Sequence, residues 1–125
     1  MQDFRNLLVW QKAHRLTLKI EAVSANLHRR RQFSLADQLV RSSRSIPANL
    51  AEGCGRTGDR DFRRFVRLAL GSVSELEYHL LLARDLALLP GPEYADLAGL
   101  AGEVKRMLSG LATRLSSDVK LKADG

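Results

Sequence analysis

A single cysteine, Cys54, among 125 residues excludes an internal disulfide, so this chain must hold its fold by packing. Only three prolines, set against many Leu, Ala and Arg residues, favour an all-helical chain. No uninterrupted apolar run approaches the roughly 20 residues needed to span a bilayer, which excludes a membrane partner of that kind. The amino terminus lacks the apolar region of a signal peptide, and with the lone thiol this implies a reduced, cytoplasmic protein. Catalytic and metal-binding patterns are missing too. His14, His28 and His79 occur singly, with no His-x-x-x-His or Glu-x-x-His spacing to build a metal site on helices. In Glu75-Leu76-Glu77-Tyr78-His79 the two carboxylates point to different sides of a helix, and His79 reads as an ordinary polar-face residue. Gly53-Cys54-Gly55-Arg56-Thr57-Gly58 lacks the lysine and preceding strand of a phosphate loop. Cys54 has no base beside it and reads as a buried, inert thiol. The expectation is neither an enzyme nor a cofactor protein.

What is present is charge, unevenly placed. Residues 1–72 hold 14 Lys and Arg against 6 Asp and Glu, whereas residues 73–125 hold 6 against 8. The net charge of +6 therefore comes from the first half, which favours a localised basic surface over a diffuse excess.

Apolar residues recur at three- and four-residue steps through four segments. The first, about Leu7 to Leu27, places Val9, Ala13, Leu16, Ile20, Val23 and Leu27 on one face, with Lys12, Arg15 and Lys19 adjoining. A basic connector follows, and Ser34 with Asp37 forms a weak capping box for a helix from Leu35 to Cys54, whose core stripe is Leu35, Leu39, Ser43, Ile46, Leu50 and Cys54. The third, with Asp59 as candidate cap, runs to about Leu89 before the break at Pro90-Gly91-Pro92, with an inner stripe through Phe62, Val66, Ala69, Val73, Leu76 and Leu80. The fourth spans about Glu93 to Ser117 and buries Leu97, Leu100, Val104, Leu108, Leu111 and Leu115, and residues 120–125 read as a polar tail beyond a single domain of residues 1–119. Four amphipathic helices with short connectors predict an all-α, antiparallel up-down-up-down four-helix bundle.

Residues Arg41 to Arg56, RSSRSIPANLAEGCGR, are unlike a generic core helix. Pro47 has no amide hydrogen and its ring crowds the carbonyl near Ser43, at a cost of about 3 kcal/mol unless the neighbourhood uses it. Gly53 and Gly55 then end the segment. Arg41, Arg44 and Glu52, on the side away from the core, with Glu75, predict a structural polar network. For Glu75 a pairing with an arginine of a neighbouring helix, a contact with another subunit and metal ligation all remain open.

This segment, followed by DFRRFVRLALGSVSELEYHL and preceded by LLVWQKAHRL, resembles the bacterial four helix bundle protein family. That family includes proteins encoded within intervening sequences of 23S ribosomal RNA genes and the accessory variability protein of diversity-generating retroelements. The resemblance covers about Phe4 to Ser117. It rests on Arg41, Ser45-Ile46-Pro47, Asn49, Ala51-Glu52-Gly53, Arg56, Phe62, Phe65, Gly71-Ser72 and Glu75-Leu76-Glu77. It implies the bundle fold, a ring of five subunits, and a basic scaffold joining nucleic acid and a protein partner. The chain departs from the pattern at LHRRRQFSL, where many relatives have a proline and an acidic residue, so the rim here is more basic.

Two surface features follow from the residues themselves. Helix three carries more leucine than its own bundle needs; Leu70, Leu81 and Leu88 align on a second line, which marks a candidate contact between chains of a homo-oligomer. Arg60, Arg63, Arg64 and Arg67 form a stripe of about 10 Å opposite the core face. With Arg56 before them, and Arg29, Arg30 and Arg31 as an extension, they are candidates for binding the phosphates of RNA or DNA. No aromatic residue interleaves for base stacking, so such binding is backbone-directed. The competing reading is a structural or protein-interaction module whose arginines are spent in ion pairs.

Overall fold

The computed structural model describes the backbone of residues 2–124 and the side chains of residues 2–117. After a short 3-10 turn, Phe4–Asn6, come α1 (Leu8–Arg29), α2 (Phe33–Cys54), α3 (Asp59–Asp85) and α4 (Gly91–Asp124). No strand occurs among the described residues. Connectors of three to five residues cannot return along helices this long, so consecutive helices run antiparallel. Each packs on the next and α4 closes onto α1, the most sparsely packed of the four seams, while diagonal helices make no close backbone approach among the described residues. The polar tail expected from residue 120 has side chains outside the described residues.

The apolar stripes supply the core much as their spacing requires. Leu16 and Ile20 of α1, Leu39 and Ile46 of α2, Val73 and Leu76 of α3 and Val104 and Leu108 of α4 are all fully buried. Val23 and Leu35, expected in the stripes, are half-buried, and the smaller Ser24 and Ala36 take the interior positions beside them. Their contact is polar as well as close, since the Ser24 hydroxyl donates to the Ala36 carbonyl at 3.1 Å. Leu70 and Leu88 also pack against this core. Of the three leucines assigned to an intermolecular line, only Leu81 remains at the surface. The reason is geometric: Leu70 turns toward the α4 flank, and Leu88 lies beyond the end of α3.

α2 continues unbroken through Pro47, and α1 supplies what the proline removes. Pro47 leaves the Ser43 carbonyl without its helical donor. The buried Thr17 hydroxyl of α1 lies 3.0 Å from that carbonyl and 3.0 Å from the carbonyl of Ala13, one turn back in its own helix. Its single proton is shared between the two acceptors, so the interior at this crossing holds no orphan carbonyl.

Both corners at the far end of the bundle are closed by the same device. At the end of α1, Arg31 has φ 62°, and the amides of Arg31 and Gln32 reach back to the carbonyls of His28 and Leu27 at 3.0 and 2.8 Å. At the end of α3, Ala87 has φ 60°, and the amides of Ala87 and Leu88 reach the carbonyls of Arg84 and Ala83, each at 2.9 Å. This paired pattern normally places glycine in the left-handed position, and neither sequence offers one. α3 therefore stops four residues before the expected Leu89, at a point without a glycine to announce it. The Ser34 cap is likewise replaced. α2 starts at Phe33 behind Gln32, which makes no side-chain cap bond, and Asp37 pairs with His28 at 2.9 Å.

Two stability outcomes follow. Thr17→Val should cost about 1–3 kcal/mol in urea unfolding, because it strands the Ser43 carbonyl. In a Pro47→Ala background the restored amide serves that carbonyl, and the cost should fall below about 1 kcal/mol; equal costs in both backgrounds would disprove the coupling. Ala87→Gly should leave stability unchanged or raise it by about 0.5–1 kcal/mol, because it relieves a left-handed alanine. A loss of about 1 kcal/mol, as in a helix interior, would contradict the assigned turn.

Candidate nucleic-acid interface

The basic cluster is built where α2 ends against the start of α3, and Gly53 governs how close the two helices come. A Cβ on Gly53 would stand 2.8 Å from the Cβ of Phe65 and 2.9 Å from a ring carbon of Phe62. No side chain larger than hydrogen fits that gap without moving a helix. The close approach brings the turn after α2 over the Phe65 ring, which is itself only 4% exposed. The Arg56 guanidinium carbon lies 5.2 Å and that of Arg64 lies 4.5 Å from the ring centroid. Arg56 also donates to Glu52 at 2.9 Å, and Arg64 makes a long contact of 3.4 Å with Asp61.

Arg60 and Arg67 flank this pair along the exposed side of α3, and neither makes a hydrogen bond or ion pair among the described residues. Arg63 does not share their direction. It is half-buried on the α4 flank, where it donates to the Ser116 hydroxyl at 3.3 Å. The expected four-arginine stripe is thus three exposed residues plus Arg56, with Arg63 at the edge. Together with Asp61 and Leu68, the arginines 60, 63, 64 and 67 line an open depression. Glu52, Asp59 and Asp61 are acidic neighbours of these five arginines, and Asp3, close to Cys54, is paired with Arg5, so the end is net positive. The first turn of α3, behind Gly58 at φ 90°, has no side-chain cap, but it carries Asp59 and Asp61. An anion seated there would meet both carboxylates, which favours the stripe further along the helix as the anion surface.

The other sequence candidates lie elsewhere. Arg29, Arg30 and Arg31 are exposed at the opposite end of the bundle, about 30 Å from the stripe along α3. They do not extend the stripe within one molecule. Arg30 is occupied in tying the two corners together, donating to the Leu88 carbonyl at 3.1 Å. Lys12 pairs with Glu103 at 2.6 Å and Lys19 with Asp96 at 3.0 Å, both across the α1–α4 seam.

The predicted polar network resolves into separate pairs. Arg41 donates to Glu75 and Gln38, both at 2.6 Å, and so ties α2 to α3. Arg44 donates to Glu21 of α1 at 2.5 Å, and Glu52 holds Arg56. Arg41 and Arg44 lie on either side of the outer line of α2 and therefore reach different neighbours. The Arg41 guanidinium holds the Glu75 carboxyl below the usual carboxylate range. Serine and asparagine fill the seam behind it: the Ser45 and Ser72 hydroxyls are 2.7 Å apart, and Asn49 donates to Ser45.

His79 is a correction to the polar-face expectation. Its side chain is only 14% exposed, both ring nitrogens are buried without a hydrogen-bond partner, and the Glu75 carboxylate is 4.0 Å away. Burial pushes its pKa down, and the Glu75 charge opposes that shift. Position 79 follows the core residue Leu76 by three, a spacing that places it at the core margin. Cys54 is a buried free thiol, and burial raises its pKa. Among the described residues no three His, Cys, Asp or Glu side chains could hold a metal ion, and no helix is long and apolar enough to cross a membrane.

Comparison with known proteins agrees with this architecture. The chain is similar to a crystal structure of a protein with unknown function from the S23 ribosomal protein family of Bacteroides thetaiotaomicron VPI-5482. The TM-score is 0.81 at 24% identity, over 84% of this chain and 98% of that one, a likeness that establishes the fold alone. A search of curated proteins returned no match. The family model described as 23S rRNA-intervening sequence protein matches residues 5–110, a span that includes the Pro47 helix, the Gly53 crossing and every arginine of the cluster. The chain belongs to the 23S rRNA-intervening sequence protein family.

Proposed function

We propose that this protein is a non-catalytic helical scaffold that binds the phosphate backbone of RNA or DNA through the α2–α3 end of its bundle. The observation that carries the reading is that Arg60 and Arg67 stand exposed, and unpaired among the described residues, on either side of Arg64, beside Arg56. Unspent guanidinium forks spaced along a helix suit a line of phosphate oxygens, and no exposed aromatic ring lies among them for base stacking. The family's description, which refers to intervening sequences of 23S rRNA, is in keeping with a nucleic-acid partner. A reduced, cytoplasmic setting fits the single unpaired thiol. The alternative, a structural or protein-interaction module, draws on the ion pairs that occupy Arg41, Arg44 and Arg56.

The scaffold acts as a homo-oligomer in this reading, with the five-subunit ring of the family resemblance as its expected form. The outer face of α3 supplies a contact surface. Beyond the arginines it passes through Gly71 to Tyr78 at 58%, Leu81 at 36% and, just past the helix end, Leu86 at 56% exposure. Gly71 sits in mid-helix, costing about 1 kcal/mol relative to alanine. An added Cβ there would meet nothing within 4 Å in this chain, so its reason is not an intramolecular contact. In an assembly, the Arg29–Arg31 corner of one subunit can also add to the basic surface, although it lies far from the stripe within one chain.

Purified protein should bind labelled RNA or DNA with an affinity that falls steeply between about 50 and 200 mM salt. Arg60→Glu with Arg67→Glu should remove most of that binding while helical signal and solution mass are kept; unchanged binding would exclude the stripe, and no binding by the parent protein at low salt would favour the interaction module. For assembly, Tyr78→Glu with Leu81→Glu should release smaller species that remain helical. An unaltered mass by light scattering would exclude this face as the contact.

A further inference from the structure

We infer that Arg56 and Arg64, held against the ring of Phe65, form the phosphodiester-binding subsite of this surface, with the cation–π contact of their guanidinium groups setting its affinity. The inference rests on the nucleic-acid reading above and adds which two arginines seat a phosphate and why they must be arginine. These two come from different elements: Arg64 from the second turn of α3 and Arg56 from the turn that follows α2. One ring meets both, at 5.2 and 4.5 Å from its centroid, so their guanidinium carbons can be no farther apart than the sum of those distances. Phe65 is almost wholly buried, so the groups that cover its ring are protein groups and not solvent.

A guanidinium is planar, so one that rests against a ring still has its five N–H donors along its own edge. Arg56 directs one terminal nitrogen at Glu52, and Arg64 only its Nε, at a long 3.4 Å, toward Asp61. Most donors of the pair are therefore free for an anion. Stacking also reduces the rotamer freedom that a long side chain would lose on binding, which is the usual handicap of a flexible cation at a surface. Among the described residues Arg60 and Arg67 have no such ring and no hydrogen bond or ion pair that orients them, so they add charge along the strand rather than a shaped seat. The Gly53 crossing is the precondition, because it alone lets the α2–α3 turn come within reach of a ring on α3.

Replacing arginine by lysine at both positions tests the inference without altering charge or core. A labelled single-stranded RNA is titrated with the full chain over a salt series, with helical signal and solution mass recorded for each protein. Arg56→Lys with Arg64→Lys should weaken binding about tenfold, since lysine keeps the charge but loses the planar fork. Arg84→Lys is the control: Arg84 lies 4.7 Å over the Tyr94 ring near the opposite end of the bundle and should bind RNA like the parent. Phe65→Met, which keeps apolar volume and removes the ring, should reproduce the loss. It should also make the slope of log affinity against log salt shallower by about 1, as one phosphate contact is given up. If the double lysine protein binds as tightly as the parent, the clamp is overturned while the charged scaffold stands, whatever the stability of Phe65→Met. If the parent itself does not bind at low salt, the nucleic-acid reading fails and the inference falls with it.

Discussion

The steric demand at Gly53 sets the spacing of α2 and α3, and the basic end of the molecule depends on it. A residue with no side chain lets the two helices meet at Phe65, where even a methyl group would collide with an atom fixed to the α3 backbone. That contact determines where the α2–α3 turn lies, and with it where Arg56 sits relative to Arg64. One turn earlier, Asn49, Ser45 and Ser72 continue the seam with short polar side chains that satisfy one another. The same helix reaches the other side of the bundle through Pro47, whose missing amide is compensated by Thr17 of α1. α2 is therefore locked on both flanks by unusual residues, which accounts for the odd composition of Arg41–Arg56.

The electrostatics follow a division of labour. Pairs between helices, such as Arg41 with Glu75 and Arg44 with Glu21, sit on half-exposed surfaces. Solvent screens such pairs, so they tune the seams rather than hold the fold. The core does that, through contiguous Leu, Ile and Val stripes. The arginines at the α2–α3 end belong to a different class. Arg56 and Arg64, against Phe65, each touch one carboxylate, Arg60 and Arg67 have no partner among the described residues, and the excess positive charge is left facing outward.

Much of the bundle was legible in the sequence because helical burial has a period that composition cannot hide. The stripes around Leu16, Leu39, Leu76 and Leu108 depend only on spacing, and all four residues are fully buried. Helix ends were less legible where the backbone departs from convention. Nothing in the local sequence announces that Ala87 and Arg31 take left-handed conformations usually left to glycine. The basic end was half legible. Position along α3 correctly set Arg60, Arg64 and Arg67 facing outward, but the swing of Arg63 to Ser116 and the burial of His79 depend on where α4 and α2 pass. Neither the separation of the two arginine clusters nor the stacking on Phe65 has a sequence signature, because both arise from chain segments brought together by the crossing.

The most direct test of this account is the Gly53→Ala protein, measured for unfolding free energy and for RNA affinity in one preparation. Alanine has the higher helix propensity by about 1 kcal/mol, so a site without steric demand would gain stability. The account predicts instead a net loss of about 1–2 kcal/mol, as overpacking against Phe65 outweighs propensity, together with weaker RNA binding as Arg56 is moved off the ring. A Gly53→Ala protein as stable as the parent or more so, binding RNA equally well, would contradict it.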